Sequence, residues 1–129
     1  MIIEAVILAG ACGFRATVRV ETVSRYRAVI QIESDCPHVA RMAGELGEVD
    51  VMKELFKGAS QVAIAGAQHL PHRTCPVVIG ILKALEVSAG LAVPKNVSIS
   101  FTEVSYGLQE KGVQSRPWGV LILTGPTAS

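Results

Sequence analysis

What this chain lacks narrows its possible roles. No apolar stretch reaches the roughly 18 to 20 residues that a membrane-spanning helix needs, although half of the 129 residues are hydrophobic and the mean hydropathy is +0.42. No basic segment stands ahead of the opening run Met1-Ile2-Ile3-Glu4, which carries an acid of its own. A secretory signal is therefore not expected, and a cytoplasmic protein is. Neither charge is in excess: 12 Lys and Arg against 11 Asp and Glu leave a net charge of +1, which removes the general electrostatic case for nucleic acid or an anionic membrane. No glycine-rich run joins a strand to a helix at nucleotide-loop spacing, Gly10-Ala11-Cys12-Gly13 being too short, and there is no serine-hydrolase elbow or internal repeat. A Cys-x-x-Cys pair is missing too. Three cysteines are odd in number and too few for a disulfide scaffold in a chain long enough to bury its own core, so reduced thiols are expected.

What is present reads as one α+β domain over residues 1–103, followed by a partly ordered appendage over 104–129. An apolar run at residues 2–9 comes first. Ala16, Val18 and Val20 then alternate with Arg15, Thr17, Arg19 and Glu21, and Ala28, Ile30 and Ile32 alternate in the next stretch. A period of two with a short link at Ser24-Arg25 predicts an antiparallel hairpin, and with the first run a three-stranded meander. Val39, Met42, Ala43 and Leu46 recur at helical spacing up to Gly47, and Asp50 is placed to cap a short second helix ending at Gly58. Residues 59–67 are small and apolar and show no decisive period. Residues 69–74 read as a loop. From about residue 76 to 88 the chain is apolar nearly all round, which predicts a helix central in the core, ended by Gly90 and Pro94. Residues 97–101 read as a later strand added to the sheet, giving an antiparallel sheet of three to four strands packed by helices on one face. In the appendage, Trp118 is expected to serve as a packing anchor. The arginines 15, 19, 25 and 27 share their region with Glu21 and Glu33, so they read as a solvated face rather than a binding strip.

The cysteines carry the chemistry. Asp35-Cys36-Pro37-His38 and Thr74-Cys75-Pro76 each place a cysteine before a proline that opens a helix-periodic stretch, and Cys12-Gly13 closes the first strand-like run. Proline suits the first helical position, so both pairs read as N-cap cysteines. A thiol there faces free backbone donors and the positive end of the helix dipole, which favours the thiolate. All three cysteines thus lie at junctions between elements, and such ends can converge at one rim of a helix-packed sheet. Three sulfurs plus one nitrogen or carboxylate suit zinc and also an iron–sulfur cluster. His72, on the loop just before Cys75, is the first choice for the fourth ligand; Asp35 and His38 are the alternatives, and His69 reads as solvated.

This order of cysteines and elements resembles the iron–sulfur cluster assembly scaffolds of the NifU/IscU type, over roughly residues 9–90. Cys12-Gly13, Cys36 and Cys75 stand where that family has its three cysteines, and Leu70-Pro71 looks like its proline-containing loop. The chain has Phe14 where the family has an aspartate and Thr74 where it has a histidine. The resemblance implies an α+β fold holding zinc or a two-iron cluster on Cys12, Cys36 and Cys75, with a cysteine desulfurase or other sulfur donor as partner. Three functions are therefore expected: a metal-binding or iron–sulfur scaffold-like protein without catalysis of its own; a thiol or persulfide sulfur carrier or redox protein; and an interaction module whose cysteines only fill the core.

Overall fold

The computed structural model describes residues 1–105, 113–115 and 121–123. They divide into two units, Met1–Lys95 and Asn96–Ser129. In the first, β1 (Ile2–Leu8), β2 (Arg15–Ser24) and β3 (Arg27–Ser34) form the expected antiparallel meander. The register sets Val18 between Ala5 and Ile32, and Val20 between Ile3 and Ile30. These rows turn inward, and Val18 and Val20 are fully buried, as the period of two requires in a sheet with one covered face. The other face pairs its charges across strands, with Arg19 2.8 Å from Glu4 and Arg27 Nε 2.6 Å from Glu48. Exposed pairs of this kind add little stability. They do keep the arginine strip a solvated, charge-balanced surface.

The fourth strand comes from an unexpected segment. β4 (Glu48–Asp50) pairs antiparallel with β3, whereas residues 97–101 have no strand pairing among the described residues. Apolar alternation marks a segment that suits a pleated surface, but a strand also needs hydrogen bonds to a partner edge, which residues 97–101 do not make among the described residues while β4 makes them to β3.

Four helices cover the sheet: α1 (Pro37–Ala43) on β3, α4 (Val77–Ser88) across β1 and β2, and α2 (Val51–Leu55) and α3 (Gln61–His69) packed beside them. In α2, Asp50 accepts from the Lys53 amide at 3.0 Å as its expected cap. The buried side differs from the apolar pattern, because Met52 and Phe56 are exposed while Glu54 is buried. The reason lies in α3. Glu54 accepts from the amides of Gln61 (2.6 Å) and Val62 (2.8 Å) and from the Ser60 hydroxyl (3.1 Å), while Ser60 itself accepts from Ala63 at 3.0 Å. A carboxylate from outside the helix thus satisfies amides that a helix start leaves unpaired. This α3 occupies the segment whose small residues gave no period.

α4 is the central helix its composition predicts. Val77, Ile81, Ala84 and Leu85 are buried, each large side chain contributing about 1.5–3 kcal/mol of burial. Gly80 lets the helix sit on β1, since a Cβ there would collide with Cδ1 of Ile7 and stand 2.5 Å from its Cγ1. Gly66 plays the same part for α3, where a Cβ would be 2.5 Å from Cγ2 of Val78 on α4. At the far end the Ser88 hydroxyl donates to the Met1 carbonyl (2.6 Å) and accepts from the Thr22 amide (3.1 Å). The helix stops in a Schellman arrangement: Gly90, at φ +77°, donates to Val87 at 3.0 Å and Leu91 donates to Glu86 at 2.9 Å.

The second unit holds β5 (Val113–Ser115) and β6 (Leu121–Leu123), paired antiparallel. Trp118 and residues 106–112, 116–120 and 124–129 lie outside the described residues. No helix among the described residues is long and apolar enough to cross a membrane.

Two measurements test this packing. Gly80→Ala improves helix propensity but forces Ile7 aside, so urea unfolding is expected to show a loss of about 1–3 kcal/mol. Combining it with Ile7→Val should cost less than the sum of the two single changes. Glu54→Ala orphans the first amides of α3 and is expected to lower stability by about 1.5–3 kcal/mol at unchanged m-value, with Glu54→Gln intermediate because it keeps a neutral acceptor.

Candidate thiol site

The topology sends the three cysteines to one rim. β1 and β3 each pair antiparallel with β2 and so run the same way, which puts the residues that follow them, Cys12 and Cys36, at the same end of the sheet. α4 runs against β1, with Gly80 over Ile7 and Ser88 tied to Met1. Its N-terminus, preceded by Cys75, points to that same end.

Each thiol is positioned by local structure. Cys12 sits in the turn between β1 and β2, where the Gly13 amide donates to the Gly10 carbonyl at 2.9 Å. Gly10 (φ +90°) and Gly13 (φ +75°) flank it in a backbone region that only glycine enters without strain, and the cysteine is exposed at the apex. Cys36 is the N-cap of α1 as expected, with extended backbone (φ −71°, ψ 119°), and its side chain makes no capping hydrogen bond. Its amide donates to Ser34 Oγ at 3.1 Å, and that hydroxyl donates to the Arg15 carbonyl at 2.8 Å. Ser34 therefore ties Cys36 to the strand that leaves the Cys12 turn. Cys75 departs from expectation: Pro76 is the N-cap of α4, and Cys75 lies one residue outside, its amide donating to His72 O at 3.3 Å. The proline ring has helical dihedrals (φ −74°, ψ −3°) and takes the capping place itself. Cys36 and Cys75 are half-buried against the core.

All three cysteines border one small cleft of about 20 Å³, shared with Phe14, Arg15, Ser34, Val39 and Val77 among others. That volume admits about one water-sized guest. Among the described residues that border it only Arg15 carries a charge, and Arg15 is exposed, in the outward register of β2. The three thiols are free. Among the described residues no group of three His, Cys, Asp or Glu side chains is placed to hold a metal ion, so a zinc or iron–sulfur centre does not fit this arrangement as it stands. His72 and Asp35 are exposed and outside the cleft wall. His38 faces Arg41 across 2.9 Å, and His69, the last residue of α3, stands 2.9 Å from Glu45, at an angle that makes no hydrogen bond.

A larger cleft of about 240 Å³ carries Glu45, Glu48, Asp50 and Glu54. Its acids already have structural partners: Glu54 and Asp50 cap helices, Glu48 pairs with Arg27 and Glu45 stands against His69. The thiol cleft is the better candidate. Sequence reasoning missed Ser34 and Arg15 as parts of it. Only the register that puts Ser34 opposite Ala16 brings these two residues together.

No curated protein and no solved structure matches the chain. A family model does match, over residues 3–101, a span that takes in all but the first residue of the four-stranded sheet, the four helices and all three cysteines. The chain therefore belongs to a family of unknown function, DUF6951.

Proposed function

We propose that this protein is a small thiol carrier that holds a sulfur atom, as a persulfide, in the cleft between Cys12, Cys36 and Cys75. The observation that carries this reading is that three thiols far apart in sequence border the same atom-sized space. Thiolates attack and hold sulfur. The cleft admits one such atom. The chain would hold sulfur and pass it on without further chemistry, and a cysteine desulfurase or other sulfur donor is the partner that role requires.

A second reading, a soft metal ion or cluster shared by the three thiolates as in a NifU/IscU-type scaffold, draws on the same convergence. It asks for more: the thiols must close on a common centre, and a fourth ligand such as His72 or Asp35 must swing in from the exposed surface.

Metal, acid-labile sulfide and persulfide content of protein purified without oxygen separate the two. The expected result is folded protein that takes up sulfur from a persulfide donor and loses that capacity in the triple serine variant. Stoichiometric zinc, or iron with matching sulfide and visible charge-transfer bands, abolished by each single cysteine-to-serine change, would instead establish the metal reading. Failure to take up either, with all three thiols resisting alkylation until unfolding, would leave the cysteines as core residues.

A further inference from the structure

We infer that the three cysteines divide the work of sulfur carriage: exposed Cys12 receives sulfur from a small-molecule thiol persulfide and hands it to the half-buried thiols Cys36 and Cys75, which store it. This inference rests on the carrier reading above. It follows from a difference within the site. Cys12 stands on a solvent-facing turn apex, while Cys36 and Cys75 are packed against the core, yet the same cleft touches all three. Half-buried Cys36 and Cys75 are less open than Cys12 to a donor molecule larger than the roughly 20 Å³ cleft, whereas a single transferred atom fits within it.

The chemistry balances without an added oxidant or reductant. The Cys12 thiolate attacks the outer sulfur of the donor R–S–SH, the donor S–S bond breaks, R–S⁻ leaves, and Cys12–S–SH forms with the proton still on the outer sulfur. A Cys36 or Cys75 thiolate then attacks that outer sulfur, the new S–S bond breaks, and the Cys12 thiolate is regenerated. The transferred sulfur keeps its oxidation level throughout. Inside the cleft it is shielded from bulky thiols that would strip it at the surface, which is the benefit of moving it inward.

Loading with glutathione persulfide, followed by rapid quenching and mapping of each cysteine by mass spectrometry, tests the division. In the wild type the sulfur is expected to pass from Cys12 at early times to Cys36 or Cys75 at late times. Cys12→Ser, on an exposed turn where serine fits, should slow loading on the order of tenfold or more while leaving the final inner occupancy intact. The Cys36→Ser/Cys75→Ser variant should still take up sulfur but keep it on Cys12, where added glutathione removes it faster than from the wild type. Undiminished loading in Cys12→Ser, or sulfur that stays on Cys12 in the wild type, would overturn the relay and leave the carrier reading standing. No uptake by any cysteine would remove both.

Discussion

The seating of α4 on β1 and β2 is the constraint on which the rest of the first unit depends. Three contacts define it along the helix: Ser88 pins the last turn to Met1 and Thr22, Gly80 allows close approach over Ile7 in the first turn, and Val77, Ile81, Ala84 and Leu85 fill the core along its length. The helix then has one permitted direction and height. Cys75, one residue ahead of its cap, is carried to the rim where β1 and β3 deliver Cys12 and Cys36. A cleft built this way is a consequence of packing in the core and not of a local loop motif, which is why its wall draws on residues from nearly the whole length of the sheet-and-helix unit.

A second, smaller dependency runs through Glu54. Its burial is unusual for a carboxylate and is compensated by two amides and a hydroxyl at the start of α3. In turn α3 supports α4 through the Gly66–Val78 contact. The acid of the short helix α2 therefore acts on the thiol rim through two intermediate helices, by holding the scaffold rather than by touching the site. The carboxylates that look most like a cation cluster already have partners in caps and ion pairs, and the residues left for chemistry are the three thiols.

The site also separates two kinds of inference about cysteine. Cys-Pro pairs marked helix starts correctly, since both α1 and α4 begin there, but the same pattern yields different capping roles: Cys36 caps α1, while Pro76 caps α4 and leaves Cys75 outside. Proline's fixed φ suits both the capping place and the first helical place, so residue order alone does not choose. The wall of the cleft matters as much as the thiols. Its small volume, not visible in cysteine spacing, weighs toward a single-atom guest.

From its sequence alone this chain determined the meander, the α1 and α4 segments, the Asp50 cap and the Gly90 stop, because alternation, helical period and turn chemistry are local properties of adjacent residues. It also marked the three cysteines as lying at element junctions. Tertiary structure alone decided that β4 and not residues 97–101 completes the sheet, that Glu54 is buried while Met52 and Phe56 are exposed, and that α3 forms from residues with no clear period. In each case the deciding partner is distant in sequence or on another element: the edge of β3, the amides of α3, the face of α4. The cleft belongs to the same class, since Ser34, Arg15 and the three cysteines become neighbours only when strand register and the seating of α4 are both set, and no local pattern records either.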